Sequence, residues 1–156
     1  MMETVRERIL ADIKTTLEGI TQAAGYNFDF TPQTVQRWSM HGNTPVDIPM
    51  IIITPGDETE EPSVHPFTEC SLSVFLSVFY LNDKNDPMPT DIYLNRLQGD
   101  IKKAVLLDHT RGGEAVDTEI VSTSPFVSVE GQHYAGLVIE LKVKYRHLRS
   151  DPTRRS

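Results

Sequence analysis

Two stretches of strict alternation constrain this chain more than anything else in it. In residues 68–81 the even positions Cys70, Leu72, Val74, Leu76, Val78 and Tyr80 are apolar, whereas Ser71, Ser73 and Ser77 share the odd positions with Phe75, Phe79 and Leu81. In residues 134–146 Ala135, Leu137, Ile139, Leu141, Val143 and Tyr145 face one way, and Glu140, Lys142, Lys144 and Arg146 the other. Strand side chains point alternately to opposite faces, so both stretches predict strands with one core face and one partly open face.

The apolar face of such strands needs a covering layer. Val5, Ile9, Ile13 and Leu17, with Leu10 and Ile20, recur at helical spacing and predict an amphipathic helix over 3–23, ended near Gly25. Leu94, Leu97, Ile101, Ala104 and Val105 predict a second helix over about 90–107, capped by Thr90 or Asp91 and followed by the chain reversal Gly112-Gly113. Residues 26–38, 46–54 and 115–124 are strand-like, with a turn at 42–45 and a turn-rich connector at 82–89. The expected order is α-β-β-β-α-β-β. It describes an α+β fold, a mostly antiparallel sheet with two helices on one face, as a single domain over 1–150.

Two segments are expected to fall outside that core. Residues 54–66 hold three prolines and four acids, Asp57, Glu58, Glu60 and Glu61, which predicts a long mobile loop. The C-terminus, with 151–156 as a short basic tail, has the opposite sign. From Lys142 onward six Lys or Arg stand against one Asp, a surplus of +5 that leaves −12 for the residues before it. Such asymmetry suits a chain whose ends meet different partners or neighbouring copies of itself. It nominates Lys142, Lys144, Arg146 and Arg149 as subunit-interface residues, with plainly solvated charges as the equal alternative.

The total charge of −7 argues against a protein that works by neutralising nucleic-acid phosphates. The opening residues lack the apolar run of a secretory signal, and the longest apolar stretches fall short of the ~20 residues that cross a bilayer. These features point to a soluble, acidic, cytoplasmic chain with no membrane contact. Cys70 is the one cysteine, and its place among core aliphatics predicts a buried hydrophobe and not a thiolate. The five histidines show no ligand spacing, and there is no nucleophile elbow, phosphate loop or calcium loop. A non-enzyme with no metal and no cofactor is therefore expected.

The element order, the Arg111-Gly112-Gly113 turn with Thr118 shortly after, and the ending Tyr145-Arg146-His147 with Asp151-Pro152 resemble the tail terminator, or tail completion, proteins of long-tailed bacteriophages, of the minor tail protein U type. That resemblance implies a structural virion protein, assembled in the bacterial cytoplasm and located in the tail. Its subunits would form a ring, generally a hexamer, that caps the tail tube, stops tube polymerisation and offers the head-docking surface. The tail tube protein and a head-completion or neck protein would be its partners, with DNA passing through without specific binding. Under this reading Asp57, Glu58, Glu60 and Glu61 would contact the tube or line the lumen. A neck or head-completion adaptor, another small binding module, or a small enzyme with converging acids are the alternatives.

Overall fold

The computed structural model describes residues 2–43, 49–81, 86–127 and 134–155. Thr4 begins α1 (Val5–Glu18) by accepting a hydrogen bond from the Glu7 N–H, satisfying one of the unpaired amides of the first turn. The helix ends at Gly19, six residues before Gly25. There the Thr21 hydroxyl accepts from Ala24 N and starts a separate short 3-10 turn, Gln22–Ala24, which Gly25 closes in a left-handed conformation. The expected strand at 26–38 shrinks to β1 (Val35–Arg37) because other acceptors claim its backbone. The carboxylate of Asp100 takes the N–H groups of Asn27 and Phe28, and Thr31 and Thr34 bond each other's backbone. Of the expected strand at 46–54 and the turn at 42–45, residues 44–48 lie outside the described ones.

The larger correction is the acidic segment. Most of it is strand: β2 (Met50–Pro62) takes in residues 54–62 and pairs with β3 (Phe67–Leu81) as far as Pro62↔Thr68, which leaves only residues 63–66 as a turn. Prolines 55 and 62 deny two amides to the ladder, yet the strand survives because the regular alternation of β3 offers a template along its whole length. The tip turns tightly, with Phe67 N donating to Val64 O at 2.9 Å. Of the connector at 82–89, residues 82–85 lie outside the described ones.

Helix α2 (Thr90–Leu107) starts at Pro89 with no side-chain cap, so neither Thr90 nor Asp91 plays the expected role. Asp86 instead accepts from Met88 N at 2.9 Å and from the Tyr93 hydroxyl at 2.5 Å, fixing the approach to the helix. Strands β4 (Asp117–Val127) and β5 (Tyr134–Leu148) follow. The residues expected to trail away form a last strand, β6 (Asp151–Arg155), paired with β5.

Among the described residues six strands form one sheet in the order β1-β2-β3-β5-β4, with β6 also on β5. Only β1 with β2 is parallel; the other pairings are antiparallel. Strands β3 and β5 pair without a break from Phe67↔Leu148 to Leu81↔Tyr134. Leu72, Val74, Leu76, Ile139 and Leu141 are fully buried in one core with Ile9, Ile13 and Leu17 of α1 and Leu97, Ile101 and Val105 of α2. The α+β fold with two helices over one face is thus as the alternation implies.

Two measurements follow from this packing. Leu76→Ala should cost about 2–5 kcal/mol in urea unfolding, since the buried leucine leaves a cavity under both helices. The second concerns Arg37, which grips Glu7 of α1 through two hydrogen bonds of 2.9 Å and holds that carboxyl below its ordinary pKa. The pair stabilises only while Glu7 is ionised. Its contribution is therefore present above the ordinary carboxylate value of ~4.3 and is lost as pH falls through the lower folded value. Both side chains are about one-third exposed, so solvent limits the contribution to ~1 kcal/mol or less. Glu7→Gln should lower stability by that amount at neutral pH, and the gap should close in acid.

Candidate functional site

A single irregularity in β2 decides where the acidic side chains point. Pairing with β3 is regular to Pro55↔Val74 and resumes at Glu58↔Leu72, so β2 spends one extra residue within Gly56–Asp57. A bulge of this kind reverses the parity of all that follows. Before it Ile51 and Ile53 face the core; after it Glu58 and Glu60 take that side. Asp57 is exposed at the bulge, and Glu61 falls on the opposite face from Glu60. The four acids proposed from sequence are therefore split and do not act as one cluster.

Glu58 and Glu60 meet residues of two other strands. The register sets Glu60 beside Cys70 and Cys70 beside Tyr145, with His147 two residues further along the same face of β5. The Cys70 thiol lies 3.6 Å from Glu60 Oε1, His147 Nε2 lies 3.7 Å from the same oxygen, and the Tyr145 hydroxyl donates to Glu58. Arg6 of α1 approaches Glu58 at 3.5 Å. Burial pushes the Cys70 thiol up to about 12, so it stays protonated by itself, and burial with the Glu58 hydrogen bond raises the Tyr145 phenol. A cavity of about 130 Å³ opens here, walled by Thr4, Arg6, Glu58, Tyr145, His147 and Pro152. Sequence spacing shows no converging ligands, but the sheet brings Glu60, Cys70 and His147 together.

The four basic candidates are also separated. Lys142, Lys144 and Arg146 lie on the outer face of the sheet, each beside an acid of its own chain. The register pairs Lys142 with Glu119, Lys144 with Asp117 and Arg146 with Glu69, the last at 3.8 Å between charged atoms. Glu61 joins Lys142 and Lys144 around a shallow cavity of about 460 Å³. Arg149 is elsewhere, at the β2–β3 tip, where its N–H donates to Pro66 O at 2.9 Å beside a cavity of about 410 Å³. The other end of the outer face is aromatic: Phe79 and Phe126 meet edge to face with centroids 5.4 Å apart.

The residues that carry the resemblance have structural explanations. Arg111 is fully buried, and its guanidinium donates to the carbonyls of Val105 and Asp108, closing the C-terminal end of α2. Gly112 and Gly113 turn the chain with φ of 69° and 86°, and the Thr118 hydroxyl donates to His109 O at 2.8 Å. Tyr145 and His147 are inner-face residues of β5, while the Asp151 carboxylate bonds the Thr153 amide and hydroxyl to start β6.

No protein-family model matches the chain, and no curated protein matches it. Among the described residues, no helix is long and apolar enough to cross a membrane. The Glu60–Cys70–His147 group escapes a reading of the sequence because 77 positions separate its second and third members. Strand parity places both on inner faces; only strand order makes them neighbours.

Gly136 tests the outer face. A Cβ there would stand 2.2 Å from Val78 O and 2.3 Å from Phe126 Cζ, and the backbone oxygen cannot retreat as a side chain could. Gly136→Ala should therefore cost about 1–3 kcal/mol or more, measured by thermal unfolding, and should loosen the Phe126 ring.

Proposed function

We propose that this chain is a structural ring subunit that caps the tail tube of a long-tailed phage, stops its polymerisation and offers the head-docking surface. One observation carries the reading: the sheet has two different free strand edges on opposite sides. Strand β4 ends the order on one side, with Val121 and Val127 exposed along it. On the other side β1 covers Ile51–Ile53 of β2, and among the described residues no strand pairs with the far side of β2 beyond residue 53, which makes that length a second free edge. Unpaired strand edges are templates for association. Two unlike edges on opposite sides suit a head-to-tail contact, which closes into a ring when the rotation between copies allows.

Charge favours the same arrangement. The free part of β2 presents Asp57 and Glu61 on the outside, whereas β6, on the opposite side of the sheet at the same end, carries Arg154 and Arg155. Arg155 is engaged with Gly113 O and Glu114 of its own chain, which leaves Arg154 as the more available cation for a neighbour. The role asked of the protein is binding without turnover. The net charge of −7 suits a lumen through which duplex DNA slides without being held. The tail tube and a head-completion protein are the partners this reading requires, and the virion tail is its location.

Electron microscopy of the purified protein, alone and mixed with tail tubes, tests the proposal. Closed rings and capped tubes are expected; a monomer by solution mass with tubes left uncapped would sink it. Removing residues 57–61 would cut away much of the β2 half that pairs beyond the bulge, so the acidic edge is better probed by Asp57→Asn with Glu61→Gln. These exposed changes should alter stability by no more than about 0.5 kcal/mol while weakening ring formation. Lys144→Glu with Arg146→Glu should also weaken it if those residues meet a neighbour, and an unchanged ring would assign them to the intrachain pairs alone.

A further inference from the structure

Donors of three kinds, from three adjacent strands, meet at the inner polar end of the sheet. One donor atom each from Glu60 of β2, Cys70 of β3 and His147 of β5 lies within 4.8 Å of the other two. Two of the three separations are 3.6 Å, from Glu60 Oε1 to Cys70 Sγ, and 3.7 Å, from the same oxygen to His147 Nε2. A tetrahedral zinc ion with bonds of about 2.0–2.3 Å sets neighbouring donor atoms roughly 3.3–3.6 Å apart. Small side-chain movements therefore suffice to close this triangle on one ion.

The imidazole is already turned for the task. His147 Nδ1 lies 2.7 Å from the Leu148 carbonyl oxygen, which can only accept, so a proton on Nδ1 makes this bond and the neutral ring then presents its lone pair at Nε2. Backbone carbonyls orient ligating histidines in this way. In that neutral form the lone pair faces the Glu60 carboxylate, and the thiol is the donor that would give up a proton to a cation. The result is an electron-rich corner that a cation would complete. Its open side gives onto the cavity of about 130 Å³, which has room for a water as fourth ligand beside Tyr145 and Glu58.

We infer that Glu60, Cys70 and His147 form a binding site for one divalent transition-metal ion, zinc by the chemistry of the set. Imidazole with thiolate selects zinc over magnesium or calcium, which take oxygen donors. Binding exchanges the thiol proton for a metal–sulfur bond, so one proton is released and nothing is oxidised or reduced. The bound ion ties β2 to β3 and β5 near the hairpin tip. This inference is independent of the ring proposal, because it concerns one chain.

The test uses the untagged full chain, stripped with chelator and titrated with Co²⁺ and Zn²⁺. One ion per chain is expected, with a thiolate-to-cobalt charge-transfer band in the near ultraviolet, one proton released, and a higher Tm with Zn²⁺. Cys70→Ser should abolish the band. Glu60 is largely exposed, so Glu60→Gln should keep the metal-free Tm and weaken zinc binding by about tenfold or more. If Cys70→Ser does not fold, the wild-type band and the Glu60→Gln affinity decide alone. No binding, cobalt bound without the thiolate band, or zinc affinity unchanged in Glu60→Gln would overturn the site.

Discussion

The unbroken antiparallel ladder between β3 and β5 is the constraint on which the rest of the molecule depends. It holds fifteen residue pairs in one register, from Phe67↔Leu148 to Leu81↔Tyr134. Because the ladder has no bulge, the same parity holds from end to end, and the buried aliphatics of both strands form one continuous floor. All the other elements but β1, which pairs with β2, are fastened to this pair or laid on it. Strand β2 adds along β3, β4 and β6 add along β5, and α1 and α2 bury their apolar stripes on the floor.

The helices need a second fastening, since burial is non-directional and would allow them to slide. Two buried polar residues supply direction. Asp100 of α2 accepts from Asn27 N, Asn27 Nδ2 and Phe28 N, anchoring the chain that leaves the α1 region. Arg111 caps α2 and lies 3.6 Å from Asp12 of α1. Burial raises the Asp12 carboxyl against the pull of Arg111, and burial draws the guanidinium's own pKa down. Both ions are held at a desolvation cost that the α2 carbonyls partly offset. Removing either partner would leave the other charge without its counterion.

The core was legible in the sequence wherever periodicity was long. The alternation of 68–81 and 134–146 fixed both strands and their inner faces, and the 3.6-residue stripe placed α1 and α2 within a few residues. What was not legible depended on partners. Residues 54–66 have the composition of a loop, yet β3 offers them a ladder, and pairing outweighs the local preferences of proline and clustered acids. In 26–38 the opposite occurred: Asp100, more than seventy positions away, draws the backbone out of strand geometry. Thr90 and Asp91 looked like caps by type, but Asp86 and Pro89 had already set the start of α2. The basic C-terminal residues have the composition of a tail and become β6 because β5 outruns β4 and leaves a stretch to be paired.

The bulge in β2 joins these levels. With regular pairing throughout, Glu58 and Glu60 would turn to the outer face, and Asp57, Thr59 and Glu61 would take the core side, opposite Leu72, Cys70 and Thr68. The extra residue lets the strand be aliphatic inward at Ile51 and Ile53 and acidic inward only past the helical cover, where Arg6, Tyr145 and His147 receive the carboxylates. The same shift leaves Asp57 and Glu61 outside, on the half of β2 that β1 does not cover. One inserted residue thus creates both the inner polar corner and the acidic free edge. The two features cannot be varied independently, because a change that restores regular pairing would move all four carboxylates at once.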